Sequence, residues 1–376
     1  MEQGKATKPK KAAKGSTVAK LRPSAPVVLS SKSSILEVSM AMAAGRTDSA
    51  LLTGPDSTLA GIVTSTDMTR KVVALGKSPA ESVSGVMTPN PKCVAMDDDA
   101  TEALIMMMDN HFRHLPVLDG SGGIVATLDI AKCMYDAISK IEKLEEAGKG
   151  VGAASASEAV KKATKGLKGV SAQQAAAMQA LLGPLMASMF GGSSSTLGGI
   201  ISKRDFKDVV GPETTVREAA KYMAKIRKGV AVADASGELV GIFTLKDLNN
   251  RVLAKELSPD STLVSEVMTP NPESVSPDMS LLDALHLMHD KKYQHLPVVE
   301  GGVVQGLVDV MDVMNATMGD GKGSEGWRSF FEQTMEVEDD GSDTASVRSA
   351  GTMSSSHLYI NMVSFFLLQI LELHWP

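Results

Sequence analysis

A segment that occurs twice limits the folds that this chain can adopt. Residues 83–118 open with VSGVMTPNP and close with HLPVL, and residues 264–299 open with VSEVMTPNP and close with HLPVV. The two windows align without a gap, and 18 of their 36 positions are identical. A self-match of this length indicates an internal repeat, so we expect one small supersecondary unit to be used more than once.

Hydrophobic periodicity predicts the same order of elements around each copy. In the first copy, a strand at 27–29 precedes a helix capped by Ser33 or Ser34. Strands at 49–52 and 59–64 and a helix at 67–75 follow, which gives the order strand, helix, strand, strand, helix. We therefore predict an α+β protein of four repeats in two adjacent pairs, with repeats at 21–80, 83–146, 208–262 and 264–318.

The remaining segments differ from the repeats in composition. Residues 1–20 are basic and 319–357 are acidic and rich in Ser, and both are expected to be disordered. The Gly/Ala-rich stretch 147–198 is interpreted as a linker. Residues 358–376 are apolar but interrupted, whereas a membrane span needs about 20 apolar residues. A membrane anchor, an interfacial helix and a divergent chain end all remain open for that stretch.

Charge and cysteine content argue against several classes of protein. The formal net charge is -6, so nucleic-acid binding is not supported. Cys93 and Cys133 are the only cysteines, without CxxC spacing or clustered histidines, so we expect neither a disulfide framework nor a metal site. A cytoplasmic location fits this cysteine usage, and association with a membrane through 358–376 is the alternative. Without GxSxG, Walker or HExxH motifs, the chain is interpreted as a binding protein and not an enzyme.

A signature that begins with glycine joins the third strand of each repeat to its second helix. It reads GIVTSTD at 61–67 and GIFTLKD at 241–247. The interval of six residues recurs at 123–129 and 306–312, so an aspartate is expected at an equivalent position in all four repeats. By this alignment Ala126 and Asp309 replace the threonine. The four aspartates are Asp67, Asp129, Asp247 and Asp312.

Two interpretations of this signature are open. A carboxylate at a strand-to-helix junction can accept hydrogen bonds from ribose hydroxyls, with the threonine beside it, and glycine lets a flat base approach the backbone. The spacing Thr-x-x-Asp is also typical of a capping box, in which Thr64 caps a helix and Asp67 returns the bond, as do Thr244 and Asp247.

Together, GxxTxxD, VMTPNP and HLPV in this order of elements resemble the CBS domain and its paired form, the Bateman module. The resemblance covers 21–146 and 208–318 and extends to plant, algal and fungal proteins with two CBS pairs and a Phox/Bem-type domain, which we do not find in this sequence. It implies adenosyl ligands, with Asp67 and Asp247 holding ribose beside Thr64 and Thr244. Asp129 and Asp312 would form poorer sites.

Cations are also needed if the ligand carries phosphate. Arg113 suits phosphate through its bidentate fork, but its counterpart is Gln294. His114 and His295 precede LPV in both copies and have a structural alternative, and Arg70 has the alternative of a solvated helix face. The candidates are Arg70, His111, Arg113 and His114 in the first pair, and Arg251, Lys292 and His295 in the second.

These observations favour a regulatory protein that senses the energy state by binding AMP, ADP, ATP or S-adenosylmethionine between paired repeats, without a covalent cofactor. The pairs are also expected to meet a protein partner, or to form a disc within one chain or in a homodimer. The alternative is an interaction scaffold with vestigial clefts, which 358–376 would tether if that stretch is an anchor.

Overall fold

Four copies of one small α/β unit make up most of this computed structural model, which describes residues 16–149, 196–205, 207–317 and 323–336. Those residues fall within one unit that spans 1–337. The interpretation of 358–376, and most of the basic tail and the linker, lie outside the described residues. None of the described helices is long and apolar enough to cross a membrane.

Repeats one and two follow one another along the chain. Repeat one contains β1 Val28–Ser30, α1 Ile35–Ala44, β2 Ser49–Thr53, β3 Leu59–Thr64, α2 Ser65–Asp67 with a π-helical continuation Met68–Val73, and β4 Thr88–Pro89. Repeat two contains β5 Val94–Ala95, α3 Ala100–Asp109, β6 His114–Leu118, β7 Ile124–Asp129 and α4 Ile130–Lys149.

Repeats three and four have a similar order of elements, and in repeat four an isolated bridge of Val275 to Val298 takes the place of the first strand. Repeat three contains α5 Leu197–Ile201, β8 Val209–Val210, α6 Val216–Ile226, β9 Val230–Ala233, β10 Leu239–Phe243, α7 Leu245–Asp247 with a π-helical continuation Leu248–Val252, α8 Val264–Val267 and β11 Thr269–Pro270. Repeat four contains α9 Leu281–Lys291, β12 His295–Glu300, β13 Val303–Asp309 and α10 Val310–Thr317, and α11 Gly323–Glu336 follows it.

Repeats one, two and three each build a small mixed sheet, and β12 and β13 of repeat four form an antiparallel pair. In repeat one, β2 pairs parallel with β1 and antiparallel with β3, and β3 pairs antiparallel with β4. Repeat three has the same strand order in its sheet of β8 to β11. Helix starts follow from local chemistry, because Ser34 and Thr215 form capping boxes with Glu37 and Glu218. The α+β prediction is confirmed.

Helix faces join the repeats in an order that differs from the order along the chain. The apolar face of α1 packs with the helical turns after α7, and α6 packs with those after α2, so repeats one and three share one core. Repeats two and four share a second core. Buried side chains of the first core include Ile35, Val38, Met42, Val72, Val216, Met223 and Val252.

Sheet faces also meet, as expected for paired repeats. Ala231 and Ala233 of β9 form a small buried cluster with Val304 and Leu307 of β13, so the sheets of repeats three and four pack through apolar side chains. The four repeats therefore associate within one chain.

Two short segments that were assigned to tails or linkers belong to the cores. Val18, inside the predicted disordered tail, is fully buried beside repeat two, and Thr17 bridges to Asp99. Leu197, inside the predicted linker, is buried beside repeat four, and Thr196 bridges to Ser280. Both predictions were wrong at these ends because one apolar residue after Ser-Thr is enough to fill a gap in a shared core.

The segment 319–357 was expected to be disordered, and α11 contradicts that prediction over 323–336. Trp327, Phe330 and Phe331 are fully buried or nearly so, and α11 packs on α3 and α4. The Trp327 ring lies 5.1 Å from the Phe330 ring and 5.6 Å from the Phe331 ring. Spacings of three and four residues place these rings on one helix face, which outweighs the polar composition around them.

Replacing the central ring tests this packing. We expect Trp327→Ala to lower the free energy of unfolding by about 3–5 kcal/mol, because it leaves a cavity among aromatic rings. The measurement is denaturant unfolding of the full chain. Glu332→Ala is the matched control, since Glu332 is exposed on the same helix. A tryptophan variant as stable as the control would contradict the packing.

Candidate functional site

A cavity of about 640 Å³ lies where the four repeats meet. All four repeats contribute side chains from the ends of their central strands and the starts of the following helices. Its wall consists of Asp48, Ile62, Thr64, Ser65, Thr66, Asp67, Thr88, Pro91, Lys92, His111, Phe112, Arg113, His114, Ile226, Arg227, Lys228, Leu245, Lys246, Gln294, His295, Asp309, Val310, Met311, Asp312 and Asn315.

Strand register shows which wall residues occupy equivalent positions. The last pair of each antiparallel ladder is Ser49 with Thr64, His114 with Asp129, and His295 with Asp309. In repeat three, Val230 pairs with Phe243, which places Gly229 opposite Thr244. In each repeat, the residue immediately before the first-named member of this pair therefore occupies an equivalent position. These four equivalent residues form a ring at the cavity. That ring consists of Asp48, Arg113, Lys228 and Gln294.

The same register corrects the alignment of repeat two. Asp129 lies opposite His114, as Thr64 lies opposite Ser49, so Asp129 replaces the threonine and not the aspartate. Lys132 then occupies the aspartate position, and its ammonium donates to the Arg22 carbonyl at 2.8 Å. The prediction of an equivalent aspartate in all four repeats was wrong, because Gly123 belongs to the preceding turn.

Capping boxes form at both Thr-x-x-Asp motifs. The Thr64 hydroxyl and backbone N–H donate to Asp67 Oδ2 at 2.8 and 3.0 Å, and Lys71 Nζ lies 2.8 Å from Asp67 Oδ1. Thr244 donates to Asp247 in the same way, and Arg251 lies 3.4 Å from that carboxylate. Arg251 also donates to two backbone carbonyls, so its role here is structural.

Packing explains the glycines that begin these motifs. A Cβ on Gly61 would lie 2.5 Å from Met87 Sδ and 3.0 Å from the Thr88 carbonyl oxygen. A Cβ on Gly241 would lie 2.4 Å from Met268 Sδ. Both methionines come from the VMTP segments, which pair with β3 and β10 at these points. The glycines therefore admit a methionine, whereas the sequence suggested the approach of a flat base.

Two histidines on the wall are kept neutral. Burial lowers the pKa of His114, although Asp129 lies 3.7 Å from its Nε2 atom. Burial, together with the charges of Arg113 and Lys228, lowers the pKa of His295 to about 4. At neutral pH both rings are therefore uncharged and offer one donor and one acceptor each.

Buried ion pairs surround the ring of equivalent positions. Arg113 lies 3.4 Å from Asp48 and 3.3 Å from Asp129, and it donates to Gln294 at 3.3 Å. Burial opposes its charge, but the two carboxylates outweigh burial and raise the pKa of Arg113. On the other side, Lys228 pairs with Asp312.

The structure brings together part of the predicted site. Seven predicted residues line the cavity, namely Thr64, Asp67, His111, Arg113, His114, His295 and Asp312. Six lie outside its wall, namely Asp129, Thr244, Asp247, Arg70, Arg251 and Lys292. Sequence reasoning missed Asp48, Ser65, Lys92, Arg227, Lys228 and Lys246. Repeat three lacks the HLPV motif, so only the strand register identifies Lys228 as the counterpart of Arg113.

The neutral histidines predict a pH dependence of stability. The unfolded chain binds a proton on His295 near the ordinary pKa of 6.5, whereas the folded chain binds it near 4. Between these values the unfolded state holds more protons, so stability falls as the pH is lowered, at up to about 1.4 kcal/mol per pH unit. Urea unfolding between pH 7 and pH 4.5 measures this slope. We expect His295→Gln to reduce the slope, and an unchanged slope would contradict the buried neutral ring.

Three segments of this chain match a known domain family. A family model for the CBS domain matches residues 83–136, 197–254 and 264–319. The CBS domain-containing protein CBSCBSPB3 of Arabidopsis thaliana is 38% identical over 89% of this chain and 60% of its own length. The chain thus spans little more than half of the length of this curated relative.

A solved structure shares the architecture. Protein MJ1225 of Methanocaldococcus jannaschii, described as a candidate archaeal homologue of γ-AMPK, is 14% identical, with a TM-score of 0.53 over 79% of this chain and 98% of its own. PAE2072 of Pyrobaculum aerophilum, a CBS domain protein solved with AMP, is 25% identical over 31% of this chain and 89% of its own, with a TM-score of 0.30. With three matched repeats, and a fourth unit of the same topology at 28–89, this chain is a CBS domain protein.

Proposed function

We propose that this protein is a non-enzymatic regulator that binds an adenosyl ligand in the cavity where its four repeats meet. The observation that carries the proposal is the convergence of four strand ends on one cavity of about 640 Å³. Small-molecule sites have volumes of about 300–1,000 Å³ and combine apolar walls with a few polar groups. Ile62, Phe112 and Met311 supply apolar surface beside the polar ring.

Cations at the cavity can receive a phosphate. Lys246 is about a third exposed and lies 3.7 Å from Asp48, and Arg227 is exposed. The Arg227 side chain makes no hydrogen bond or ion pair with the residues that the structure describes, so its guanidinium is available. Arg113 and Lys228 are instead committed to buried carboxylates.

Regulation follows from the position of the cavity. A ligand that contacts all four repeats favours one arrangement of them over others. The shift in that equilibrium is limited by the difference in affinity between the arrangements. In this proposal the regulated target is a partner protein.

A protein-association scaffold is the second candidate. The closed capping boxes favour it, because the carboxylates of Asp67 and Asp247 already have hydrogen-bond partners without any ligand. For the same reason, replacing these aspartates by alanine would disturb the fold as well as a site.

Calorimetric titration of the full chain with adenosine, AMP, ATP and S-adenosylmethionine separates the candidates. We expect saturable binding by the wild-type protein. We expect Lys246→Gln to lower the affinity for AMP about tenfold, since a charge-assisted hydrogen bond contributes about 1.5–3 kcal/mol. Lys225→Gln is the matched control, because Lys225 is exposed on α6 and lies outside the cavity wall. If none of the four ligands binds, the protein-association scaffold remains as the supported function.

A further inference from the structure

Asp48 stands out in the ring of equivalent positions, because repeats two, three and four place Arg113, Lys228 and Gln294 there. We propose that Asp48 makes the cavity select adenosyl ligands of low negative charge, such as adenosine or S-adenosylmethionine, over the triphosphate. This inference rests on the proposed function, since it concerns the ligand of the same cavity.

The buried cations of the ring are already neutralised. Arg113 lies between Asp48 at 3.4 Å and Asp129 at 3.3 Å. Lys228 pairs with Asp312 and lies 3.7 Å from Asp208. Each cation therefore faces two carboxylates. Lys246 and Arg227 on the cavity wall can compensate a single phosphate, but a polyphosphate brought into this ring would meet little further positive charge and would be repelled at short range by the carboxylates.

Two polar atoms of the repeat-one wall have no hydrogen-bond partner among the described residues. They are Oδ1 of Asp48 and Oγ of Ser65, a residue only 4% exposed. The two residues are neighbours on the cavity wall, because the Ser65 N–H donates to the Asp48 carbonyl at 2.9 Å. Lys246 Nζ lies 3.7 Å from Asp48 Oδ1, beyond hydrogen-bond distance. Because buried polar groups in proteins are almost always paired, this corner can accept a hydrogen-bonding group from a ligand.

The chemistry of the corner determines which group fits. An ionised carboxylate only accepts hydrogen bonds. Asp48 can therefore pair only with a ligand group that donates one, such as a sugar hydroxyl, an exocyclic amine or an ammonium group. Oxygens of an ionised phosphate only accept, so they cannot pair with Asp48. Ser65 can donate or accept and does not discriminate. The carboxylate is therefore the element that distinguishes ligands by charge.

The test compares ligands and variants of the full chain by calorimetry at neutral pH and constant salt. In the wild-type protein, adenosine or S-adenosylmethionine is expected to bind at least about tenfold more tightly than ATP. Asp48→Asn keeps the size of the side chain and removes its charge, so we expect the Kd for ATP to fall about tenfold while that for adenosine changes much less. Asp56→Asn is the matched control, since Asp56 is exposed in the turn between β2 and β3 of the same repeat.

The outcomes separate this inference from the proposed function. If no adenosyl ligand binds, the proposed function fails. If ATP binds the wild-type protein as tightly as adenosine, or if Asp48→Asn leaves the ratio of the two affinities unchanged, only the selectivity by Asp48 is overturned. Thermal unfolding of each variant verifies folding, and the wild-type ratio tests the inference even if Asp48→Asn is unstable.

Discussion

The apolar faces of the helices force the four repeats to associate. A single repeat has one small sheet and two short helical segments, and its helix face has nothing within the repeat to pack against. Repeat one covers this face with repeat three, and repeat two covers it with repeat four and α11. Because each core is shared by repeats far apart in the chain, the strand ends of all four repeats are brought to one place. The cavity is a consequence of that packing.

One buried polar contact crosses the interface of repeats one and three. The Ser39 hydroxyl donates to Asn249 Oδ1 at 2.9 Å, and Asn249 Nδ2 donates to the Ser39 carbonyl at 3.3 Å. The equivalent places on the other side of the interface hold Ala220 and Thr69. Pairing repeat three with a second copy of itself would place Asn249 against Ala220, which has no hydroxyl, and leave Asn249 Oδ1 without this donor, which costs about 1–3 kcal/mol.

Local patterns in the sequence predicted most of the helices and strands. They did not predict which repeats pack against each other. The apolar period of 35–44 and the Ser34 cap predicted α1, and the turn GPDS predicted the β2–β3 pair. The pairing of repeat one with repeat three left no such signal, because it depends on contacts such as that of Ser39 with a residue 210 positions away.

The residues of the site were also predicted only where a local sequence pattern marks them. Thr64 and Asp67 were found because their spacing is fixed by a helix start, and the capping box they form is local. Asp48 and Lys228 were missed because nothing in their neighbourhood resembles a motif. Their equivalence to Arg113 appears only when strands are paired residue by residue. The helix α11 was missed for a different reason, since its three aromatic residues are few among many polar ones.

A buried ion cluster connects the cavity wall to the segment between α5 and β8. Lys228 and Asp312 lie on the cavity wall, and behind them Arg204 lies 2.9 Å from Asp312 and 2.8 Å from Asp208. Burial raises the pKa of Asp208, so its ionised form depends on these cations. Lys228 on the cavity wall and Arg204 between α5 and β8 therefore share the same two carboxylates, those of Asp208 and Asp312.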